Sequence, residues 1–459
     1  MRYLLLITTL LLGQLALGQQ LEFSLKEAQT KALELNRNAQ ISALEVEKAK
    51  RVVKETLAIG LPQINAEGSF QNFLDVPTQV LPDFISPAVY DVLIDENLVP
   101  DGSGGTPGFL PAQFGTEYTM SGGASLSQLI FSGSYLIGLQ ATRTYVEFSR
   151  IQQERSEMEV KESVAMAYYT ALLAKDNTSI LKESESTLQQ MLIEVEAMYE
   201  VGFVEEQDAQ QMRLTLNTLS DQVRNAERQE ALTVQLLSYQ MGLPISTAII
   251  LTDDLSALTK GDDVQFILSN NEIDLNSHPD LRLNETNVLL SQLRVREQKS
   301  RYLPTLNGFF SYSQQAQRNE FNFLESGEDW FPNTVWGVNL SLPIFSSGMK
   351  YQRVKQLEIE LQEAELNREQ AEAGLTLSAI QAKSDYLFAM DSYETAQENL
   401  GIARSIRDKT RIKYQEGISS SFELNEMETQ YIDAQAKSIQ ATMSLLNALT
   451  SVRKAFNTL

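Results

Sequence analysis

The sequence predicts an internally duplicated α+β membrane protein, in which each half carries a pair of amphipathic strands between long helices. Three landmarks recur in the same order: Leu-Pro before the first strand, Phe-Ser followed by Gly after the second, and Tyr-x-x-Gly after the next long helix. They occupy 61–62, 131–133 and 199–202 in the first half, and 303–304, 345–348 and 414–417 in the second. An internal repeat decides the architecture before any finer interpretation.

The N-terminus is typical of an exported protein. A charged start at 1–3 and an apolar run over 4–17 precede the small-x-small sequence Ala16-Leu17-Gly18, which predicts a signal peptide over 1–18 and a mature N-terminus at Gln19. The apolar run is too short to span a bilayer as a helix. No later run of about 18 apolar residues occurs, so we expect any membrane span to consist of strands.

Composition argues against several functional classes. The chain has no Cys and a formal charge of −23, which excludes disulfides and thiolate metal sites and disfavours nucleic acid as a partner. The single His, His278, stands before Pro279 and is interpreted as a surface or capping residue. No nucleophile–His, Walker or dinucleotide motif occurs, and the Asp/Gly clusters at 101–105 and 261–263 lack calcium-loop spacing. We therefore expect no enzymatic activity, no cofactor and no metal site.

The first repeat is assigned to 19–242. Ser24 and Glu27 form a capping box that starts a helix over 24–60, which ends where Pro62 interrupts the ladder. Apolar and polar residues alternate over 62–73 and 117–131, as in strands with one apolar face, and 74–116 is a Pro- and Gly-rich loop. Helices follow over 134–200 and 204–241. The first of these, at about 1.5 Å per residue, would be near 100 Å long.

An equatorial linker over 243–276 joins this repeat to the second, over 277–459. The second repeat is predicted to contain a helix over 277–302, strands over 304–313 and 335–345, and helices over 348–416 and 421–456. Aromatic residues cluster at the loop between its strands, including Trp330, with Trp336 just inside the next strand. They suit a membrane-interface belt, and equally the small core of a folded surface loop.

The last helix carries a heptad pattern, which predicts a coiled-coil seam. Its members step alternately by four and three positions from Met427 to Ala455, and the positions 215 residues earlier run from Met212 to Gln240. The two repeats therefore share one register. Most of this stripe is interpreted as packing between helices.

Four strands per chain predict an oligomer. An open four-stranded sheet in lipid would leave two edges of unpaired N–H and C=O groups, each costing several kcal/mol. Closure needs at least about eight strands, so two or more chains must associate. The same alternation would suit half-buried strands of a soluble sandwich, but the long helices and the export signal favour membrane strands.

The ordered landmarks, present twice along the mature chain, resemble the TolC family of outer-membrane efflux proteins. That resemblance implies a homotrimer with a twelve-stranded transmembrane β-barrel, four strands per chain, continued by a long periplasmic α-helical coiled-coil barrel. It implies the exit channel of a tripartite efflux or type I secretion system in the outer membrane of a Gram-negative bacterium. Its partners would be a periplasmic adaptor protein and an inner-membrane pump of RND or ABC type.

Two other functional classes were weighed. A periplasmic adaptor (membrane fusion) protein would also have long helical hairpins, but usually one per chain, so the duplicated strand pairs argue against it. A soluble enzyme with a helical shell lacks catalytic residues.

The resemblance also implies an iris-like gate at the periplasmic tips. Glu423 and Glu426, three apart on one helix face, fall where the family places its aperture carboxylates, so three chains would form two carboxylate rings. Asp208 and Gln207 fall at the partner positions of the lock, opposite Tyr414. The alternative is that the two glutamates are ordinary solvated helix charges.

The helix-hairpin tips are the expected contact for the adaptor. Gly202 and Gly417 are predicted to reverse the long helices, because a left-handed residue there favours Gly. Ser419 stands near the position where the family's prototype has an Arg, which removes that part of the lock.

Overall fold

The computed structural model describes residues 21–104, 108–260 and 275–459. The predicted signal peptide, and 261–274 of the predicted linker, lie outside the described residues. The chain divides into a helical unit, made of Met1–Val52, Ala141–Val295 and Lys355–Leu459, and a sheet unit, made of Val53–Gln140 and Arg296–Val354. Within the described ranges, no helix combines the length and the apolar character needed to cross a bilayer.

The described elements follow in chain order. The first repeat contains β1 Leu21–Phe23, α1 Leu25–Leu35, α2 Arg37–Ile59, β2 Gln63–Asn72, β3 Thr78–Pro82, α3 Ile85–Asp95, β4 Phe109–Gln113, β5 Tyr118–Phe131, α4 Gly133–Glu200 and α5 Glu206–Met241. The remainder contains β6 Ile249–Leu251, α6 Leu255–Leu258, α7 Pro279–Ser300, β7 Thr305–Arg318, β8 Phe331–Ser341, α8 Met349–Gln415 and α9 Ser421–Ala455.

The helix predicted over 24–60 is wrong as a single element, because it breaks at Asn36. Ser24 and Glu27 do form the capping box, but Asn36 takes an extended conformation with ψ 133°. Its amide nitrogen donates to the carbonyl oxygen of Gln240, and its Oδ1 accepts from the N–H of Asn38. Asn36 thus ends α1 and caps α2, exchanging local helix bonds for side-chain bonds.

The predicted loop over 74–116 is also wrong, because it contains a small folded insertion. Strands β3 and β4 pair antiparallel, and the Asp83 carboxylate accepts from the N–H groups of Ile85 and Ser86 to start α3. The apolar side chains of α3 recur at helical spacing over 85–93, a pattern that the Pro and Gly residues around it obscured.

The sheet unit is built on one antiparallel sheet with the strand order β2-β5-β7-β8. Its register aligns Ile64 with Leu126, Leu126 with Phe310, and Phe310 with Trp336. The next row joins Asn65, Ser125 and Ser311. One face is therefore apolar, and the other is mostly polar in β2, β5 and β7, as alternation requires, whereas in β8 it also carries Val335 and Phe331.

Among the described residues, much of the apolar face of this sheet is exposed, although the loop aromatics Phe321 and Phe323 pack on Phe70 at one end. Ile64 is 76% exposed and Trp336 is 78% exposed, so the sheet is not the half-buried layer of a soluble sandwich. Strand β7 extends to Arg318, beyond the predicted end at 313, because the Arg318 guanidinium binds the carbonyl oxygens of Asn322 and Asp329 and orders the loop. Strand β8 begins at Phe331 and ends at Ser341, earlier than predicted.

The helical unit has a core where β1 pairs in parallel with β6. Tyr168 is fully buried there, and its hydroxyl donates to the carbonyl oxygen of Phe23 at 3.0 Å. The linker over 243–276, expected to be irregular, therefore contributes β6 to this core and α6 beside it. Apolar burial of Ile249 and Leu251 explains why the segment is ordered.

The predicted seam differs between the repeats. In α5 the predicted positions Met212, Leu219, Val223 and Leu237 are buried. In α9 the predicted positions Tyr431, Ser438, Leu445, Ala448 and Val452 are buried, whereas Met427, Ala434, Ala441 and Ala455 are half-buried. Residues next to the half-buried positions complete the buried stripe, among them Glu428, Gln435, Thr442 and Leu449. The seam of α9 therefore buries several polar side chains.

Gly242 offers a test of the fold at the end of α5. It has φ +78°, and a Cβ there would lie 2.3 Å from the carbonyl oxygen of Leu35. We expect Gly242→Ala to lower the free energy of unfolding by about 1–2 kcal/mol from the backbone alone, with more from the clash. Thermal unfolding followed by circular dichroism measures this.

Gly374→Ala is the matched control. Gly374 lies inside α8, and a Cβ there would meet no heavy atom within 4 Å, so this change should stabilise by about 0.5–1 kcal/mol. Equal Tm values for the two variants would contradict the close approach at Gly242.

Candidate functional site at the helix-hairpin tips

Each pair of long helices reverses through the same C-terminal motif. Gly202 has φ +80° and Gly417 has φ +70°, the left-handed conformation that favours Gly. The N–H of Gly202 donates to the carbonyl oxygen of Tyr199, and that of Phe203 to the carbonyl oxygen of Met198. The same two bonds recur at Gly417. This is the Schellman arrangement, which accounts for the repeated Tyr-x-x-Gly.

The helix that follows each turn starts with an acid at its third position. The Glu205 N–H donates to the Asp208 carboxylate at 3.2 Å, and the Glu423 N–H donates to the Ser420 hydroxyl at 3.1 Å. Asp208 and Glu423 lie 215 positions apart and are equivalent. Each acid also faces the positive end of its helix dipole, so both contribute to capping.

Ser419 belongs to the tip of the second hairpin. Its hydroxyl donates to the Glu423 carboxylate at 2.6 Å. Glu426, one turn further on, accepts from the Gln430 amide at 3.1 Å. Both glutamates are exposed in the single chain, which suits either solvated helix charges or carboxylates that face an aperture.

The two hairpins are linked at their tips by a hydrogen bond that sequence reasoning missed. The Ser421 hydroxyl donates to Oδ1 of Asp208. Tyr414, the predicted partner of Asp208, is 8% exposed, and its hydroxyl has no hydrogen-bond partner among the described residues. Burial raises the pKa of Tyr414, and the nearby carboxylates of Asp208 and Glu194 add to that. Asp208 and Tyr414 are therefore neighbours without a direct bond.

A groove of about 900 Å³ lies between the two tips. Its lining combines polar groups, among them Gln207 and Asp208, with apolar side chains. Phe203 is 83% exposed and Phe422 is 71% exposed. Large exposed apolar groups beside polar ones are typical of a protein-binding surface. The predicted positions 207, 208, 414, 417 and 419 all line this one groove.

Above the tip, the second hairpin buries a carboxylate. Glu428 is 1% exposed, and its Oε2 lies 3.9 Å from Nε of Arg407. The Arg407 guanidinium stacks 4.0 Å from the centre of the Tyr431 ring and also pairs with Asp408. Burial raises the pKa of Glu428, which Arg407 and Arg411 partly offset and Asp408 reinforces. The predicted heptad had placed Met427 on this face.

Buried polar atoms without partners concentrate in this hairpin. Five side-chain oxygens in the described residues are buried without a hydrogen bond, and they belong to Tyr414, Asn425, Glu428, Gln435 and Asn447. All five lie on α8 or α9. Each such atom opposes burial by about 1–3 kcal/mol, so the second seam is held less firmly than its apolar counterpart in the first hairpin.

The aromatic residues of the sheet unit fall into two environments. Trp330 packs against Phe323 with ring centres 6.3 Å apart, and Arg318 lies 5.3 Å over the Phe323 ring. Phe323 is 3% exposed, so Trp330 belongs to the small core of a folded loop. Trp336 instead stands on the exposed apolar face of β8.

Of the two interpretations of His278, surface or capping residue, the structure supports capping. His278 is 3% exposed, and its Nδ1 accepts from the N–H of Asp280 at 3.2 Å to start α7. Burial lowers its pKa. In the described parts of the chain, no group of three or more His, Cys, Asp or Glu side chains is placed to hold a metal ion.

One family model matches part of the chain. The model described as outer membrane efflux protein matches residues 273–458, a stretch that contains the second repeat. Comparison with curated proteins gives no match. The family match supports an efflux channel of the outer membrane, and the adaptor alternative is not favoured.

Solved structures of outer membrane channels and of an outer membrane protein share the fold along nearly the whole chain. The Campylobacter jejuni CmeC outer membrane channel is 17% identical with a TM-score of 0.69, covering 95% of this chain and 85% of that one. The open state of the Neisseria gonorrhoeae MtrE channel is 15% identical with a TM-score of 0.66, covering 94% and 88%. The Vibrio cholerae outer membrane protein VceC is 12% identical with a TM-score of 0.66, covering 94% and 95%.

We expect Glu428 to make the stability of this protein depend on pH. Because its pKa is raised in the folded state, the neutral form is favoured, and stability is lost as the pH rises through that pKa. We expect Glu428→Gln, which is neutral at every pH, to raise stability at pH 7.5 by about 1 kcal/mol and to flatten the change in Tm between pH 5 and 7.5. Arg407 keeps Asp408 as a partner.

Glu426→Gln, two residues away and exposed, is the control and should leave the pH dependence unchanged. A Glu428→Gln protein that is less stable than the wild type at pH 7.5 would show that attraction to Arg407 outweighs the cost of burial.

Proposed function

We propose that three copies of this chain close into a twelve-stranded barrel in the outer membrane of a Gram-negative bacterium. The barrel is the passive exit channel of a tripartite efflux or type I secretion system, and it performs no catalytic step. The observation that carries the proposal is a four-stranded sheet with one exposed apolar face, one polar face and two free edges.

The geometry of the edges supports closure between copies. Successive strands in the order β2-β5-β7-β8 are antiparallel, so β2 and β8 run in opposite directions. The β8 edge of one copy can therefore continue the antiparallel order with β2 of the next. The two strands have 10 and 11 residues, which is the length needed to cross a bilayer at a tilt of about 45°.

The number of copies follows from the interior width that a water-filled barrel needs. Two copies give eight strands, whose interior is just wide enough for side chains. Three copies give twelve strands and room for an aqueous path, and the family resemblance supports that number. The polar rows of Asn, Ser and Gln would then line water, and the apolar rows would face lipid.

The helical units of the three copies would form the periplasmic tunnel and its gate. We assign the gate to Glu423, Glu426, Asp208, Gln207 and Tyr414. The Ser421–Asp208 bond supports this assignment, because it ties one hairpin tip to the other and would break when they separate. The carboxylates of Glu423 and Glu426 would form a cation-attracting constriction.

A periplasmic adaptor would bind the tips, and an RND or ABC pump of the inner membrane would supply the energy. The tip turns at Gly202 and Gly417, with Ser419, present the exposed Phe203 and Phe422 beside the groove. An apolar contact of this kind suits a partner helix hairpin.

Charge on alternate residues of β8 tests the barrel. Val338 lies on the apolar face and is 55% exposed, so Val338→Arg should cost about 2–4 kcal/mol per chain in lipid and reduce the yield of trimer. Asn339→Arg, on the polar face one residue later, should leave assembly intact. Membrane fractionation and heat-modifiable gel mobility report both. Equal behaviour of the two variants, or a soluble monomer for the wild type, would refute the barrel.

Charge removal at the tips tests the gate. We expect Glu423→Gln combined with Glu426→Gln to lower the preference for cations in planar bilayers, because two carboxylate rings lose their charge. Glu45→Gln combined with Glu47→Gln removes the same charge from α2, which does not line the tip groove. Unchanged selectivity in the tip variant would exclude these residues from the aperture.

A further inference from the structure

Glu67 is the one ionisable side chain on the polar face of the four-stranded sheet. The other positions of that face are occupied by uncharged residues. They are Gln63, Asn65, Ser69 and Gln71 in β2; Thr119, Ser121, Gly123, Ser125, Ser127 and Leu129 in β5; Thr305, Asn307, Phe309, Ser311, Ser313, Gln315 and Gln317 in β7; and Phe331, Asn333, Val335, Gly337, Asn339 and Ser341 in β8.

The row of paired residues that contains Glu67 leaves space beside Glu67 on the polar face. Glu67 pairs with Gly123, and Gly123 pairs with Ser313. A Cβ on Gly123 would lie 2.6 Å from the carbonyl oxygen of Tyr312, so the close approach of β5 and β7 requires glycine here. Because Gly123 has no side chain, no side chain of β5 lies directly opposite the Glu67 carboxylate.

The surroundings of Glu67 are rich in oxygen. The hydroxyls of Ser69 and Ser121 lie 2.7 Å apart in a hydrogen bond, and further serines follow in the next rows. Together they line a shallow cleft of about 320 Å³ on the polar face. Carboxylate, hydroxyl and carbonyl oxygens are ligands for hard cations, and the cleft contains no basic side chain that would attract an anion.

No positive charge compensates Glu67 nearby in the sequence. No Lys or Arg occurs between Lys54 and Arg143, a span that contains β2, the folded insertion and β5. If β2 pairs with β8 of a neighbouring copy, the facing residues of β8 on this side are also uncharged. Whatever the register of that pairing, β8 brings no basic side chain to Glu67 on the polar face.

We propose that Glu67 from the three copies forms a carboxylate ring that selects cations within the strand barrel. This inference rests on the proposed closure of the barrel, and the ring is separate from the carboxylates at the helical tips. The solutes it favours are metal cations and organic molecules that carry a protonated amine. Anionic solutes meet an unfavourable potential at the same level.

The distance over which the Glu67 ring influences passing ions should depend on the ionic strength. The screening length is about 10 Å at 0.1 M and about 3 Å at 1 M ionic strength. A ring of three charges on the wall of a water-filled barrel therefore influences passing ions strongly in dilute salt and weakly in concentrated salt.

Reversal potentials in planar bilayers under KCl gradients test the proposal. We expect Glu67→Gln to lower the K⁺/Cl⁻ permeability ratio by about twofold or more near 0.1 M salt, with little change near 1 M, and Glu67→Lys to lower it further. Asp75→Asn, which removes a carboxylate from the loop just after β2, is the matched control and should keep the wild-type ratio. The Glu67→Gln effect should persist when Glu423 and Glu426 are also replaced by Gln.

The outcomes separate the two proposals. Absence of channels from wild-type protein would refute the barrel and the ring together. Wild-type channels whose ratio at 0.1 M is unchanged by Glu67→Gln and by Glu67→Lys would refute the ring alone. Failure of Glu67→Gln to assemble into trimers, checked on gels before recording, would assign Glu67 to assembly and also refute the ring.

Discussion

The free edges of the four-stranded sheet are the constraint on which the rest of this structure depends. In hydrocarbon an unpaired backbone group costs several kcal/mol. The edge strands β2 and β8 have no further partner in this sheet, and four strands are too few to close on themselves. The proposed assembly and lumen rest on these two edges.

The duplication produced two helix hairpins with the same turn motifs but with seams that are stabilised differently. The Schellman turns and the acids at the third helical position are the same in both, since each solves the same problem of reversing a long helix. The seams differ. The first buries Met212, Leu219 and Val223, whereas the second buries Glu428, Gln435 and Thr442. A seam with polar atoms left unpaired gains less from packing, so the second hairpin is the easier one to displace.

At the tips, the atoms that cap the helices also form the contacts between tip residues. The Asp208 carboxylate closes the capping box of α5 and accepts the Ser421 hydroxyl from the other hairpin. The Glu423 carboxylate accepts from Ser419 while its N–H is held by Ser420. A substitution at either acid therefore changes the start of a helix as well as any contact with a partner, and the two effects have to be separated experimentally.

The sequence by itself determined the duplication, the long helices, the amphipathic strands and the turn glycines, because each depends on periodicity or on a local backbone preference. The resemblance to the TolC family placed Gln207, Asp208, Tyr414 and Ser419 at the tips, and the structure puts all four in one groove. Only the tertiary structure decided the break at Asn36, the insertion between β2 and β5, the burial of Glu428 and the Ser421–Asp208 bond. Those features depend on which helix faces which, and the pattern along one helix gives the width of its buried stripe but not the neighbours that cover each side of it.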